Sequence, residues 1–322
     1  GRVSSVGMRY RFFTCDVFTD ARFGGNPLAV LPEATGLSDE QMLQVAREFN
    51  YSETAFVLPA EMGHDRRVRI FTPSREVPFA GHPNIGTAFV LASNGLLAAG
   101  DPPRTVVFEE EAGLVSVTIE SRGDAGLWCE LTAPEAFTRG REVPVELVAG
   151  ALGLADRDIR TVLHPPLVAS TGLPFVLVEL TDLDALARAR PDIAGLDRML
   201  DAGSTVADVH AYVRVGERRG QADGETAGGD PAQRVDIRAR MFAPFDGVYE
   251  DPATGSANCA LAGLLAQLDP AADGAFAWRI SQGVEMGRPS LLQARATKTA
   301  GEVTRVQIGG GSVLVSEGFI SV

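Results

Sequence analysis

Two similar phrases in this chain carry residue types that can bind an anion or move a proton. The first runs Arg69-Ile-Phe-Thr-Pro73 and continues at His82-Pro-Asn-Ile-Gly-Thr-Ala88; the second runs Arg240-Met-Phe-Ala-Pro244 and continues at Asp251-Pro-Ala-Thr-Gly-Ser-Ala257. Each x-Pro-x-x-Gly-[Ser/Thr]-Ala phrase opens an apolar stretch, a pattern that indicates a helix N-terminus. The free N–H groups and positive dipole end of such a helix favour an anion. The repetition predicts a duplicated fold that holds a ligand between its halves.

His82 and Asp251 occupy equivalent places in the two phrases. A histidine at a positive helix end tends to stay neutral, whereas an aspartate there is held ionised. The imidazole can donate or accept a hydrogen bond, and the carboxylate can orient an amine or accept a proton. Simple helix capping is the alternative for both residues. The candidate donors to a ligand carboxylate follow in each phrase: Gly86 with Thr87, and Gly255 with Ser256.

Glu53 is the candidate proton carrier. It stands just before the apolar segment Ala55-Phe-Val-Leu58, where loss of solvent could raise its pKa toward neutrality. Such a carboxyl group can take a proton from a carbon and return it elsewhere, as an allylic shift or an epimerisation requires. A solvated glutamate, or a helix cap near Asn50, is the alternative interpretation. Asn26, in the turn Gly25-Asn-Pro27, either lines the entrance of the site or serves the turn alone.

Composition excludes several classes of function. The chain has 322 residues, enough for two domains, and a net charge of −13, which argues against nucleic acid or anionic membrane as a partner. No apolar run approaches a membrane span and no signal peptide is evident, so a cytoplasmic location is expected. Lys298 is the only lysine, which excludes most Schiff-base chemistry and a Walker-type phosphate lysine.

Neither a metal nor an organic cofactor is predicted. The three cysteines and four histidines show no ligand spacing, and a disulfide framework is not expected. No G-x-G-x-x-G phrase follows a strand in the context of a dinucleotide fold, and the G-x-S-x-G elbow of serine hydrolases is missing.

Short strands and a few helices are predicted along the chain. Ser38-Asp-Glu-Gln41 is a capping box that opens a helix to about Asn50. Further helices are expected from His82 to Asn94, over Asp182 to Ala189, and from Thr254 to Leu268, with strands between them. Near the end, strands at Val303 to Ile308 and Val313 to Ile320 are expected to flank a hairpin or bulge at Gly309-Gly-Gly311. The polar segment Gly220 to Pro231 is expected to be a surface loop.

These phrases together resemble the PhzF-like (phenazine biosynthesis) isomerase family, within the diaminopimelate epimerase-like fold superfamily. The resemblance covers essentially the whole chain after residue 7. The phrases that carry it are Asp16-Val-Phe-Thr19, Gly25-Asn-Pro27, Ser52-Glu-Thr-Ala-Phe56, Phe71-Thr-Pro-Ser-Arg-Glu-Val-Pro-Phe-Ala-Gly-His-Pro83, Ser170-Thr-Gly-Leu-Pro-Phe175, Arg240-Met-Phe-Ala-Pro244, Glu250-Asp-Pro-Ala-Thr-Gly-Ser-Ala257, Gln282-Gly283 and Gly287-Arg-Pro-Ser290.

The resemblance implies an α+β fold of two similar lobes, each a curled mixed or antiparallel sheet around a central helix. The lobes are expected at 8–130, completed by 310–322, and at 131–309, with the active site in the cleft; residues 1–7 are set aside as an alternative start or added residues. It also implies a possible homodimer and cofactor-independent isomerisation of a small carboxylate-bearing substrate by Glu53. The remaining implied site residues are His82, Asp251, Gly81, Gly86, Thr87, Gly255, Ser256 and Asn26.

One departure separates this chain from the epimerases of the superfamily. Those relatives use two cysteines at the paired helix starts, where this chain has His82 and Asp251, so a two-thiol racemisation is disfavoured. Cys259 is expected to be a small core residue. An amino-acid epimerase or racemase with Glu53 and Asp251 as its two bases, and a non-catalytic small-anion-binding protein, are the alternatives.

Overall fold

The protein is described by a computed structural model, which covers residues 7–97, 102–215 and 234–322. The loop predicted at Gly220 to Pro231 lies outside these residues. The chain divides into two compact units, one formed by the described parts of 1–132 together with 309–322, and the other by those of 133–308. Both combine a mixed sheet with few helices.

The first unit begins with a hairpin and continues through alternating strands and helices. Its elements are β1 (Arg9–Val17), β2 (Asn26–Leu31), α1 (Asp39–Phe49), β3 (Thr54–Leu58), β4 (Arg66–Phe71), β5 (Glu76–Val77), α2 (Gly81–Ser93), β6 (Arg104–Glu110), β7 (Gly113–Ser121) and β8 (Leu127–Thr132). Strand β2 is parallel to β3, β3 is antiparallel to β4, and β4 is parallel to β6, which continues antiparallel into β7 and β8.

The second unit repeats that order of pairings. Its elements are β9 (Thr138–Glu142), α3 (Val145–Ala151), β10 (Leu167–Ser170), β11 (Pro174–Glu179), α4 (Leu183–Arg188), α5 (Ile193–Asp201), β12 (Val209–Arg214), β13 (Ile237–Ala243), β14 (Val248–Asp251), α6 (Gly255–Leu268), β15 (Gly274–Gln282), β16 (Ser290–Thr299) and the start of β17 (Glu302–Ser321), whose residues from 309 onward belong to the first unit. Here β11 is parallel to β12, β12 is antiparallel to β13, and β13 is parallel to β15, which continues antiparallel into β16. The same topology therefore occurs twice, and α2 and α6 hold the same place in it.

Helices α2 and α6 are buried on nearly all sides. Eleven of the thirteen residues of α2 and eleven of the fourteen residues of α6 are buried. Helix α2 packs against β1, β2, β7 and β8, whereas α6 packs against β10, β11, β15 and β16. A helix that is apolar all round is stable only inside a core. The sequence of both helices thus requires strands around them.

Capping chemistry fixes the helix boundaries that the sequence predicted most clearly. The capping box of Ser38 and Gln41 is present at the start of α1, which ends at Asn50 in the left-handed conformation. Of the hairpin or bulge predicted at Gly309-Gly-Gly311, the hairpin is wrong, because β17 passes through these residues without interruption. A Cβ atom on Gly309 would lie 2.8 Å from Nε1 of Trp128, so glycine there permits close approach of a strand instead of a turn.

Candidate active site

Glu53 lies in the turn that leads into β3. Its side chain is 20% exposed, and its Oε2 atom is 3.7 Å from Nδ1 of His82. The hydroxyl group of the neighbouring Ser52 donates a hydrogen bond of 3.3 Å to Oδ1 of Asn26, which is fully buried at the start of β2. The first unit thus brings together Glu53, His82 and Asn26.

His82 is the second residue of α2 and is neutral over the ordinary working range of pH. Burial lowers the pKa of its imidazole to about 3, and a hydrogen bond to the Pro27 carbonyl opposes this only weakly. The contact with Glu53 is therefore not an ion pair, and at 3.7 Å it is also longer than a hydrogen bond. A neutral imidazole beside a carboxyl group can donate or accept without competing for its charge.

Four buried polar atoms around α2 lack a hydrogen-bond partner within the described parts of the chain. They are Nε2 of His82, Oδ1 of Asn84, Oγ1 of Thr87 and Oγ1 of Thr54, the residue that follows Glu53. Leaving one such group unsatisfied costs about 1 to 3 kcal/mol. Native proteins tolerate few of them, and those that persist call for a functional explanation. Two of these atoms belong to His82 and Thr54, the residues next to Glu53, so unsatisfied polar atoms lie close to the candidate proton carrier.

The start of α2 differs from the prediction. The helix begins at Gly81, so the unpartnered amides belong to the first turn, and the amides of Gly86 and Thr87 lie in its hydrogen-bonded body. A Cβ atom on Gly86 would lie 2.5 Å from Cδ2 of Leu28 and 2.7 Å from Cγ2 of Val17. The close approach of α2 to β1 and β2 therefore explains this glycine.

Asp251 is the last residue of β14, four positions before α6 begins at Gly255. The two phrases are thus not in the same register with respect to their helices, because His82 lies inside α2. Gly255 and the half-buried Ser256 are the first two residues of α6, and their amides have no partner within the helix. In this unit the amides that can bind an anion are the predicted ones.

A buried hydrogen-bond network holds Asp251. The hydroxyl group of Thr254 lies 2.5 Å from Oδ2 of Asp251, and Nε2 of Gln282 donates to the Asp251 carbonyl at 2.7 Å and to Oγ1 of Thr254 at 3.0 Å. Oε1 of Gln282 accepts from the Thr254 amide at 3.2 Å and from Nδ2 of Asn258 at 2.9 Å. Nε2 of His210 lies 3.1 Å from Oδ1 of Asn258. This network keeps residues 251–254 in a non-helical turn and so delays the start of α6.

The network was not predicted, because its members come from separate parts of the chain. Gln282 ends β15, Asn258 lies in α6 and His210 lies in β12; none of the three is solvent-exposed. Only Gln282 carried a signal, as part of the Gln282-Gly283 phrase, and that phrase assigned it no role. An amide followed by Gly is common, so the role depends on tertiary pairing.

A buried ion pair anchors β14 just before Asp251. Nε and one terminal nitrogen of Arg240 donate to the two carboxylate oxygens of Glu250 at 2.8 and 2.9 Å, and the side chains are 3% and 8% exposed. The other terminal nitrogen donates to the carbonyls of Leu186 and Ala189 at 2.8 and 3.0 Å. Because all three nitrogens of the planar guanidinium are hydrogen-bonded, β14 has little freedom to shift.

The first unit contains an equivalent arginine–glutamate pair. In both units the arginine also lies over the phenylalanine two positions later, which explains the repeated Arg-x-Phe. Arg69 donates to both oxygens of Glu76 in β5, at 2.7 and 2.5 Å. Its guanidinium carbon lies 5.2 Å from the ring centre of Phe71, and that of Arg240 lies 4.9 Å from the ring centre of Phe242. In each unit the arginine joins the strand before the motif to the short strand that follows it.

Three further features of the described residues concern metal ligands, membrane spans and cysteines. No group of three metal-binding side chains occurs within residues 7–97, 102–215 and 234–322. None of the helices described there is long and apolar enough to cross a membrane. The three cysteines form no disulfide with one another and are all buried, including Cys259 in α6.

Comparison with known proteins agrees with this fold. The sequence profile of the PhzC-PhzF family, described as phenazine biosynthesis-like protein, matches residues 15–318. An uncharacterised isomerase of Mesorhizobium japonicum is 38% identical over 94% of this chain and 96% of its own length. The trans-2,3-dihydro-3-hydroxyanthranilate isomerase of Pseudomonas aeruginosa is 35% identical over 96% of this chain and 98% of its own. The crystal structure of a PhzF-family phenazine biosynthesis protein from Bacillus anthracis superposes with a TM-score of 0.84, at 25% identity, over 98% of this chain and all of that one.

The fold and its relatives define an enzyme of the isomerase class. The chain belongs to the phenazine biosynthesis-like PhzC-PhzF family.

Proposed function

We propose that this isomerase moves a proton on a small carboxylate-bearing substrate and that Glu53 carries the proton. The carboxyl group of Glu53 takes the proton from one carbon and delivers it to another, so the reaction needs no cofactor. His82 serves beside it as a neutral hydrogen-bonding group. Asp251 orients the substrate, and Ser256 with the Gly255 amide stabilises its negative charge.

The observation that carries the proposal is the placement of Glu53 beside a neutral imidazole whose Nε2 atom has no hydrogen-bond partner among the described residues. Glu53 is only 20% exposed, and His82, whose pKa is about 3, lies 3.7 Å away without forming an ion pair. Asn26 supports the turn from β2 through Ser52. A glutamate that served only solubility or helix capping would be expected to be more exposed and to lie away from a buried neutral histidine.

The second unit supports the part assigned to Asp251 and Ser256. The free amides of Gly255 and Ser256 at the positive end of α6 suit a substrate carboxylate, and a helix of 14 residues has a full dipole. The network through Thr254 and Gln282 fixes Asp251 before any substrate arrives. Preorganisation of this kind favours catalysis over simple capture.

The first compound to test is trans-2,3-dihydro-3-hydroxyanthranilate, because several relatives are named as isomerases of this compound. In D2O, we expect the product to carry deuterium from solvent and the double bonds to have moved, as followed by NMR. Deuterium at the α-carbon of an amino acid without a double-bond shift would instead identify an epimerase. Binding without exchange in any compound tested would identify an anion-binding protein.

Glu53→Gln tests the proton carrier directly. We expect turnover to fall by about 10²- to 10⁴-fold, while the affinity for the substrate and the unfolding midpoint change little. Glu48→Gln, on the exposed face of α1, is the matched control and keeps full activity. Retention of full activity by Glu53→Gln removes that residue from the mechanism.

We further propose that the two units are repeats of one fold, each a sheet wrapped around its motif helix. The shared order of strand pairings, the burial of α2 and α6, and the paired arginines Arg69 and Arg240 support this.

A further inference from the structure

The hydrogens of the network behind Asp251 can be assigned without ambiguity. The Thr254 amide can only donate and the Asp251 carbonyl can only accept, so they fix the Gln282 side chain from both sides. Oε1 must face the amide at 3.2 Å and Nε2 must face the carbonyl at 2.7 Å. The side-chain orientation of Gln282 is therefore determined by backbone groups.

Fixing Gln282 fixes Asn258 and His210. Oε1 of Gln282 can only accept, so Asn258 must offer it a hydrogen from Nδ2 at 2.9 Å; the other Nδ2 hydrogen goes to the Thr254 carbonyl, also at 2.9 Å. Oδ1 of Asn258 then faces Nε2 of His210 at 3.1 Å and accepts its hydrogen. His210 must hence carry its proton on Nε2, and burial lowers its pKa to about 4, so it adds no charge.

The second hydrogen bond from Nε2 of Gln282 determines where the hydroxyl hydrogen of Thr254 points, and so what Asp251 receives. Nε2 of Gln282 donates to Oγ1 of Thr254 at 3.0 Å, so the hydroxyl hydrogen of Thr254 must point elsewhere. Oδ2 of Asp251 lies 2.5 Å from that hydroxyl oxygen and receives the hydrogen. If Oδ2 carried a proton of its own, two hydrogens would compete for the space between the two oxygens.

We propose that Thr254, Gln282, Asn258 and His210 are positioning residues that keep Oδ2 of Asp251 a hydrogen-bond acceptor, so that this carboxylate is ionised and fixed when it orients the substrate. The proposal rests on the part of the proposed function assigned to Asp251. A hydrogen bond donated to an ionised carboxylate stabilises the charged form. The network therefore widens the range of pH over which the Asp251 carboxylate is ionised.

Other charged groups on the neighbouring elements of this unit are already paired with one another. On β13, Arg240 bonds Glu250 of β14, and Arg238 bonds Glu285 at 2.8 Å. On β12, the titratable side chain facing the network is His210 itself, which is neutral. The titratable side chain of α6 is that of Cys259, which is buried.

The tautomer of His210 is the first test, because it needs neither a substrate nor a destabilising change. The chain has four histidines, so 15N NMR of histidine-labelled protein resolves them, and His210→Gln assigns the signal. We expect the shifts of a neutral ring with its proton on Nε2. A proton on Nδ1 would reverse the bond to Asn258 and overturn the assignment.

Thr254→Val tests the link to Asp251. In protein labelled with 13C at aspartate carboxyl groups, with Asp251→Asn to assign the signal, we expect the titration midpoint of Asp251 to move up by about one to two pH units. Thr254→Ser, which keeps the hydroxyl group, retains the wild-type midpoint. Thr171→Val, at another buried threonine of this unit, is the matched control.

An unchanged midpoint in Thr254→Val contradicts the proposal, whatever the enzyme turns over. If the reaction proposed above is confirmed, the acid limb of its pH–rate profile moves with the NMR midpoint. If the midpoint moves and no turnover is found, the network stands and only the proposed function fails.

Discussion

The starts of α2 and α6 hold the same place in the repeated topology, yet their polar groups are in opposite states. Around α6, Thr254, Asn258 and Gln282 use their hydrogen-bonding capacity on one another and on Asp251. Around α2, atoms of His82 and Thr87 are buried without a partner in the described residues. The hydrogen bonds at the start of α6 therefore fix the carboxylate of Asp251, whereas polar atoms of α2 still lack hydrogen-bond partners within the described chain.

The difference suggests how the repeated fold supports an asymmetric reaction. Two identical helix starts would offer two equal bases on opposite sides of a substrate, as a racemase requires. Here one unit has a neutral imidazole beside Glu53, and the other has the rigid carboxylate of Asp251. The first unit thus supplies a carboxyl group with a neutral neighbour, and the second supplies a carboxylate that hydrogen bonds already hold in place.

After Glu53→Gln, the largest effect we expect is at His82. His82→Phe should lower the rate of proton transfer by about 10²-fold or more, because the transition state loses a preorganised hydrogen-bonding group. His64→Phe, at an exposed histidine of the same unit, is the control and should retain activity. A variant rate within threefold of wild type would mean that the unsatisfied Nε2 atom has no part in the reaction.

The pH dependence of stability gives an independent view of His82. Its pKa is about 3 in the folded protein and 6.5 ordinarily, so the unfolded chain binds more protons between these values. This contribution is present above pH 6.5 and is lost as the pH falls, by about 1.4 kcal/mol per pH unit. Replacing His82 should therefore make the protein less sensitive to mild acid, which urea unfolding at pH 5 and 7 would detect.

The next largest effect is at Glu110, near Asn84 of α2, where the pKa shift changes stability with pH in the direction opposite to that of His82. Burial raises the pKa of its carboxyl group to about 8 from 4.5, and the Asn84 amide opposes this only in part. The folded protein then binds more protons than the unfolded chain between those values, so stability falls as the pH rises, by about 1.4 kcal/mol per unit.

Glu110→Gln should remove that fall. Urea unfolding at pH 5, 6, 7 and 8 should show a variant that is more stable than wild type at pH 8 and close to it at pH 5. The exposed neighbour gives the control, Glu111→Gln, which should follow wild type at every pH. Parallel curves for Glu110→Gln and wild type would exclude a buried, protonated carboxyl group at this position.

Local patterns predicted the elements, and distant pairings decided the site. The box at Ser38 and the apolar run after Gly255 depend on neighbours within a few residues, so α1 and α6 were predicted within one residue of their starts. Helix α2, predicted from His82, likewise begins within one residue of its predicted start, at Gly81. Gln282 lies 28 positions from Thr254 along the chain, and no local rule reports that pairing.

The smallest effect tests the contrast between the two helices directly, with the same substitution made at each. Thr254→Val should destabilise the protein by about 1 to 3 kcal/mol, because Gln282 loses an acceptor and Asp251 loses a donor. Thr87→Val should be neutral or stabilising, since the hydroxyl group it removes is buried without a partner in the described chain. Unfolding by urea measures both, and equal losses at the two positions would show that Thr87 has a partner the static structure misses, so that the two helix starts are equally satisfied.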